Sequence, residues 1–308
     1  MNLGYACQNM QLSHLPKGKR VTMNRNCIRK TFDTKGIDYI SEISLKNAYD
    51  LETLIKWNEK NGIKFFRLSS DMVPWASEFD MNDMPDIDEI KEVCSRAGRY
   101  ALKVGQRLTA HPGHFNVLCS PTQRVVERSI VDLTIHGELF DWLEQPRSPY
   151  AKINIHLGGA YGDKEASMER FCKNFQRLPD SVKTRLCVEN DDKYNMYSVY
   201  DLYHGVHKKV GIPVVFDYHH HKFNTGDLTE ERALNLAISS WPDGVKPVVH
   251  YSESRSIEKN DSKIKPQAHS DYVYDRIDTY DKSVDIMIEA KAKELALFKY
   301  RNMHNIKI

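Results

Sequence analysis

Eight short apolar runs, rich in β-branched and aromatic residues, recur along the chain at 3–7, 64–69, 107–111, 152–156, 186–189, 213–217, 247–250 and 285–289, with longer amphipathic stretches between them. A period of two giving way repeatedly to a period near 3.6 marks βα units around a parallel sheet. Eight such units predict an α/β chain folded as a (β/α)8 TIM barrel, an architecture that commonly occupies one domain at this length, and residues 1–308 read as that single domain. Helix signals fall in the intervals. Ser44 is placed to cap a segment running to Gly62, and Pro85 with Asp86 opens one that stops near Gly105. Others begin at Pro121, Asp163, Ser198, Thr229 and Lys291. No low-complexity tract, solenoid period or linker divides the sequence.

In a βα barrel the side chains at the carboxyl ends of the strands line the mouth, so the residue closing each run carries the chemical information. The third run, RLTAH, ends at His111, the fourth, INIH, at His156, and the fifth, LCVE, at Glu189. The sixth reads VVFDYHHH, with Asp217 at its end and His220 just beyond; the seventh closes on His250 and the eighth on Glu289. His269, in the connection after the seventh run, completes a set of five imidazoles and three carboxylates. One histidine closing an apolar strand is more often a satisfied core residue than a ligand, but six successive runs ending this way gather the set at one mouth. Three carboxylates brought together there repel one another and lose water, a cost that divalent cations remove. A thiol-free nitrogen and oxygen set suits zinc, manganese or iron better than magnesium or calcium.

Two or three such ions, roughly 3.5 to 4 Å apart, activate a water and stabilise the attacking and leaving oxygens of a phosphoester, so phosphodiester hydrolysis is the natural chemistry. Glu189, on the middle strand, is the candidate bridge between ions and the candidate catalytic carboxylate. Strand alternation cannot aim His219, His220 and His221 at one point, so His220 is expected to swing back to the site and its neighbours to be supporting or surface groups.

With 44 basic and 42 acidic residues, net charge does not announce a nucleic-acid partner, and a DNA-binding surface must be a local patch. Two connections are longer than packing requires, 8–44 and 251–282. The first carries Lys17, Lys19, Arg20, Arg25, Arg29 and Lys30 with no acidic residue among them, which makes it the candidate phosphate-contacting patch. Six cysteines without close pairing, such as Cys187 inside an apolar run, read as reduced thiols. The opening MNLGYACQNM has no signal-peptide pattern, and no run approaches the roughly 18 apolar residues of a membrane helix. The expectation is an intracellular, soluble monomer, cytoplasmic or nuclear, without a membrane partner.

The stretches LGYACQN, TMNRNC, RLSSDMVPWAS, LTAHPGHFNVL, IHLGGAYGDKEASMERF, VENDD, VFDYHHHKFN, VVHYSES, QAHSDYV and IMIEAKAKELAL occur in order along almost the whole chain. Together they resemble the UV damage endonuclease family, a relative of the endonuclease IV type of abasic-site nucleases. The resemblance implies an enzyme that nicks damaged double-stranded DNA on the 5′ side of UV photoproducts, leaving a 3′-hydroxyl. It implies His111, His156, Glu189, Asp217, His220, His250, His269 and Glu289 as ligands of two or three divalent ions, manganese first, with zinc, magnesium or cobalt as alternatives. It also places Tyr5 and Asn9 near the lesion pocket.

Three positions depart from the family pattern. After HPG the family commonly carries a glutamine and an aromatic residue that probe the duplex, where this chain has His114 and Phe115. Phe115 keeps the wedge chemistry, an aromatic ring stacking into the gap left by splayed bases. A lysine of the family, carbamylated near the metals, is replaced by Val248; Lys246, about 6 to 7 Å deeper on the same strand face, is the candidate substitute. Glu78 stands where the family usually shows histidine.

Gly158, Gly159, Tyr161 and Lys164 look suited to close approach by a DNA backbone, as do Arg67, Ser69 and Ser70, and Arg25 lies in the basic TMNRNC stretch. An abasic-site endonuclease, a divalent-metal sugar isomerase with a small closed pocket, and a damaged-DNA binder without turnover are the alternatives the same residues leave open.

Overall fold

The computed structural model describes residues 1–306. Eight strands run in parallel: β1 Leu3–Ala6, β2 Phe65–Arg67, β3 Arg107–Thr109, β4 Ile153–His156, β5 Leu186–Glu189, β6 Val214–Asp217, β7 Val248–Tyr251 and β8 Asp285–Ile288. They pair in the order β3-β2-β1-β8-β7-β6-β5-β4. The last seam, between β4 and β3, is made by one bridge, in which the Ala110 N–H donates to the Lys152 carbonyl and the Asn154 N–H to the Ala110 carbonyl, both at 2.9 Å. The sheet is thereby a nearly closed TIM barrel.

Strand alternation sorts the side chains. Tyr5, Phe66, Leu108, Ile155, Val188, Phe216 and Val249 belong to the large core beneath the helices. Their neighbours Ala6, Phe65, Cys187, Val215, Val248 and Met287 form a separate apolar cluster that fills the middle of the barrel. Because both faces are covered, each strand reads as a nearly continuous apolar run.

The helices are α1 Met10–Ser13, α2 Arg29–Lys60, α3 Ile87–Lys103, α4 Gln123–Trp142, α5 Lys164–Phe175, α6 Asp180–Lys183, α7 Val199–Leu202, α8 Lys208–Val210, α9 Tyr218–His221, α10 Glu230–Ile238, α11 Arg255–Glu258 and α12 Glu294–Met303. Asp163, Ser198 and Thr229 stand immediately before α5, α7 and α10, and each side chain accepts a first-turn backbone N–H. The helix expected from Ser44 instead starts at Arg29 and kinks at Gly36, where φ is 67°. Ser44 caps nothing: its hydroxyl donates to the Ile40 carbonyl inside the helix. The basic connection 8–44 is therefore helical over 10–13 and 29–44, with Lys17, Lys19, Arg20 and Arg25 in the stretch between. Among the described residues, no helix is long and apolar enough to cross a membrane.

The connection 251–282 is ordered around two carboxylates. Glu253 accepts the N–H groups of Tyr274 and Asp275, and Glu258 those of Asp271 and Tyr272. An antiparallel bridge between Ser254 and His269 then holds His269 over the mouth.

Candidate metal centre and its rim

Above the apolar layer, the inward positions at the carboxyl ends of the strands are polar, with Glu189, Asp217 and His250 buried and His111, His156, His220 and Glu289 half-buried. Three groups of donor atoms, each within 4.8 Å of one another, lie side by side: His111 with His156 and Glu189, Glu189 with Asp217 and His220, and Asp217 with His250 and Glu289. Glu189 and Asp217 are shared, so seven of the eight expected ligands form one continuous cup. His269 stands outside these groups, its ring 6.3 Å from that of His220.

Ring tautomers are set by the backbone. His111, His220 and His269 each place Nδ1 on a carbonyl, of Pro112 at 3.1 Å, Asn190 at 2.8 Å and Glu289 at 2.9 Å respectively. A carbonyl only accepts, so Nδ1 carries the proton and Nε2 keeps its lone pair for the cup. His250 is turned the other way, with Nε2 3.0 Å from Lys152 Nζ and Nδ1 3.0 Å from Glu189 Oε2.

Electrostatically the cup is crowded. Burial works against charge on Glu189, yet the imidazoles of His250, His156 and His111 hold it well below the usual carboxylate range. Burial moves Asp217 the other way, upward, and the carboxylates of Glu189 and Glu289 add to that push. Desolvation lowers His111 to about 4, whereas His156, equally desolvated, is carried up to about 10 by Glu189 and Asp191. Meanwhile Glu189 Oε1 and Asp217 Oδ2 are buried without a hydrogen-bond partner among the described residues. Buried carboxylate oxygens left unpaired where several imidazoles converge fit a partner shared among them. The donor set, three carboxylates and imidazoles with lone pairs turned inward, fits divalent cations.

Several expected positions lie elsewhere. Lys246 sits at the opposite end of the barrel, 3.3 Å from Asp285, where fully buried Arg107 also pairs with Asp285. Val248 belongs to the apolar layer, which separates Lys246 from the cup. Tyr5 and Asn9 do not reach the mouth either. Tyr5 points outward to donate to Asn58, and Asn9 donates to the Tyr5 hydroxyl while capping α1. Arg67, expected at a phosphate, pairs with Glu289 inside the cup. Arg25 is engaged with Asp50 at 2.7 Å and Arg29 with Asp33 and Glu78, which narrows the basic patch to Lys17, Lys19, Arg20 and Lys30. His219 and His221 are buried rather than at the surface.

At the rim, Phe115 is 78% exposed with its ring 4.2 Å from that of His114. Tyr161 is exposed, and Lys164 pairs with Asp201 at 3.1 Å. Ser69 is buried and accepts from the Asp71 N–H, while the Gly159 carbonyl accepts from Tyr197. Gly158, at φ 106°, serves packing: a Cβ there would lie 2.5 Å from Val117.

Sequence reasoning missed Lys152, Asn154, Asn190 and Asp191. Asn154 donates to Glu189, Asp191 lies 3.2 Å from His156, and Asn190 clamps the end of β6 by bonding both the N–H and the carbonyl of Asp217. A signal was available, since Lys152, Asn154 and His156 are spaced by two and share one strand face.

The family profile described as UV-endonuclease UvdE matches residues 1–307. The UV-damage endonuclease of Schizosaccharomyces pombe is 37% identical over 305 residues, which are 96% of this chain and 49% of that protein. The UV DNA damage endonuclease of Clostridium perfringens is 32% identical over 310 residues, 98% of this chain and 70% of that protein. The chain thus spans about half the length of the fission yeast relative. The crystal structure of SacUVDE superposes with a TM-score of 0.84 at 29% identity, covering 99% of both chains. A profile match from end to end, with relatives above 30% identity, places the chain in the UV-endonuclease UvdE family.

Proposed function

We propose that this chain is a DNA repair endonuclease that hydrolyses a phosphodiester on the 5′ side of UV photoproducts in double-stranded DNA. The observation that carries the reading is the cup of four histidines and three carboxylates, in three donor groups that share Glu189 and Asp217, in a family whose members are named for UV damage. His111, His156, Glu189, Asp217, His220, His250, His269 and Glu289 would hold two or three divalent cations, manganese first. Bound there, the cations supply Lewis acidity toward the scissile phosphate and acidify a water.

The remaining work falls to the chain. Glu189, common to two of the three groups, is held by the Asn154 amide and would serve more than one cation. Arg67 steers Glu289, and the carbonyls of Pro112, Asn190 and Glu289 keep imidazole lone pairs aimed inward, the outer support that such ligands need. Phe115 is the wedge that enters the stack at a lesion, where bases are already poorly paired. A side chain so exposed at the rim suits a polymer lying across the mouth better than a small sugar enclosed in a pocket.

The test is nicking of irradiated and plain duplex by the full chain loaded with manganese. Irradiated DNA is expected to be cut and plain DNA spared, with Glu189→Gln losing roughly a thousand-fold or more in rate while still binding. Equal inactivity on both substrates overturns the reading. Faster cutting of a synthetic abasic site than of a photoproduct moves the substrate to abasic DNA.

A further inference from the structure

Ile257 is 81% exposed, as bare to solvent as Phe115, and has no hydroxyl or ring nitrogen for water to serve. It lies on α11, in the connection that follows β7, whereas Phe115 follows β3. In the strand order, three strands separate β3 from β7 in either direction. The two apolar tips therefore stand on opposite rims of one mouth, with the cup between them.

The turn that carries Ile257 is held rather than loose. The Arg255 N–H donates to the Ala268 carbonyl at 2.7 Å, next to the bridge that positions His269, and Glu258 accepts the backbone N–H groups of Asp271 and Tyr272 from the returning half of the loop. Residues 255–265 of the same connection carry four cations. Arg255 and Lys259 share Asp271, while Lys263 and Lys265 are exposed and make no ion pair among the described residues. An aliphatic side chain fixed at a rim, with unpaired ammonium groups six and eight residues further along the same loop, has the composition of a groove-inserting wedge with backbone anchors.

Building on the nuclease reading, we propose that this loop is a second DNA contact: Ile257 presses into the duplex from the side opposite Phe115, and Lys263 and Lys265 hold the flanking phosphates. Wedges on both sides would kink the duplex over the cup and present one phosphodiester to Glu189.

Equilibrium binding of the manganese-loaded full chain to a short duplex carrying one photoproduct, across a salt series, tests this. Ile257→Ser is expected to weaken binding about ten-fold with an unchanged salt slope, because it removes apolar burial and no charge. Lys263→Ala with Lys265→Ala should instead flatten the slope of log K against log salt by roughly one to two. All three side chains are exposed, so circular dichroism should match the parent. Parent-like affinity of Ile257→Ser together with a parent-like slope of the lysine variant overturns the inference alone, provided Phe115→Ala loses affinity in the same assay. A parent chain that does not prefer the damaged duplex over plain duplex overturns the nuclease reading, and the inference with it.

Discussion

At the scale of single residues, Lys152 shows how the cup is balanced. Its side chain is fully buried immediately before β4, burial lowers its pKa to about 8, and its Nζ lies 3.0 Å from His250 Nε2. The chain has no lysine two residues before His250, and the one expected to compensate, Lys246, is bound to Asp285 at the far end. Lys152 thus supplies the only lysine contact to His250 among the described residues. A buried cation is costly to stability and is commonly replaced by an apolar side chain of similar volume without loss. Lys152→Met is therefore expected to melt at the same temperature as the parent or higher. Because Lys152 orients His250, the same variant should lose about 10 to 100-fold in nicking or metal retention. Calorimetry beside the nicking assay separates the two. A loss of stability above about 2 kcal/mol would mark Lys152 as structural, since it would exceed what removing a buried charge predicts.

Between elements, α2 and α3 are joined by a carboxylate. Glu52 receives Arg96 through Nε at 3.0 Å and Nη2 at 2.8 Å, and Lys56 at 2.6 Å, and these donors hold its pKa near 2 against an ordinary 4.5. A depressed folded-state pKa gives stability that is present above about 4.5 and is lost as pH falls toward 2. Glu52→Gln should cost about 1 to 2 kcal/mol at pH 7 after solvent screening of the half-exposed cations. By pH 3 more than half of that difference should be gone; a gap independent of pH would mean packing rather than charge is responsible. The sequence announced α3 cleanly, through Pro85, Asp86 and Gly105, because its apolar face repeats without interruption. It hid the start of α2, because residues 29–36, RKTFDTKG, are polar and end in a glycine, so the apolar period begins only at Ile37. The strands were legible for the opposite reason: buried on both faces, they cannot avoid apolar runs.

For the molecule as a whole, the barrel separates two polar layers by an apolar one, and this decides which site residues could be read. A residue ending a strand has its depth fixed by the strand's end, so His111, His156, Glu189, Asp217, His250 and Glu289 converge in the cup. A residue at a strand's beginning has no such mark, and Lys246, Arg107 and Asp285 form the opposite plug, while Tyr5 faces outward because alternation turned it there. The separation also predicts how the cup couples to stability. Glu189 is held charged and Asp217 is pushed toward neutrality, so the metal-free barrel holds carboxylates in conflict that a cation would resolve only in the folded state. A ligand at about a hundred times its dissociation constant stabilises the fold by about 2.7 kcal/mol, which for a chain of 308 residues raises the melting temperature by roughly 4 °C. Adding manganese to chelator-treated protein should give that rise, and Glu189→Gln should blunt it while lowering the metal-free midpoint, because the imidazoles that hold Glu189 ionised lose their partner. Identical melting curves with manganese and with chelator would leave the conflict in the cup to be settled by protons alone, and the cations would then have no place in it.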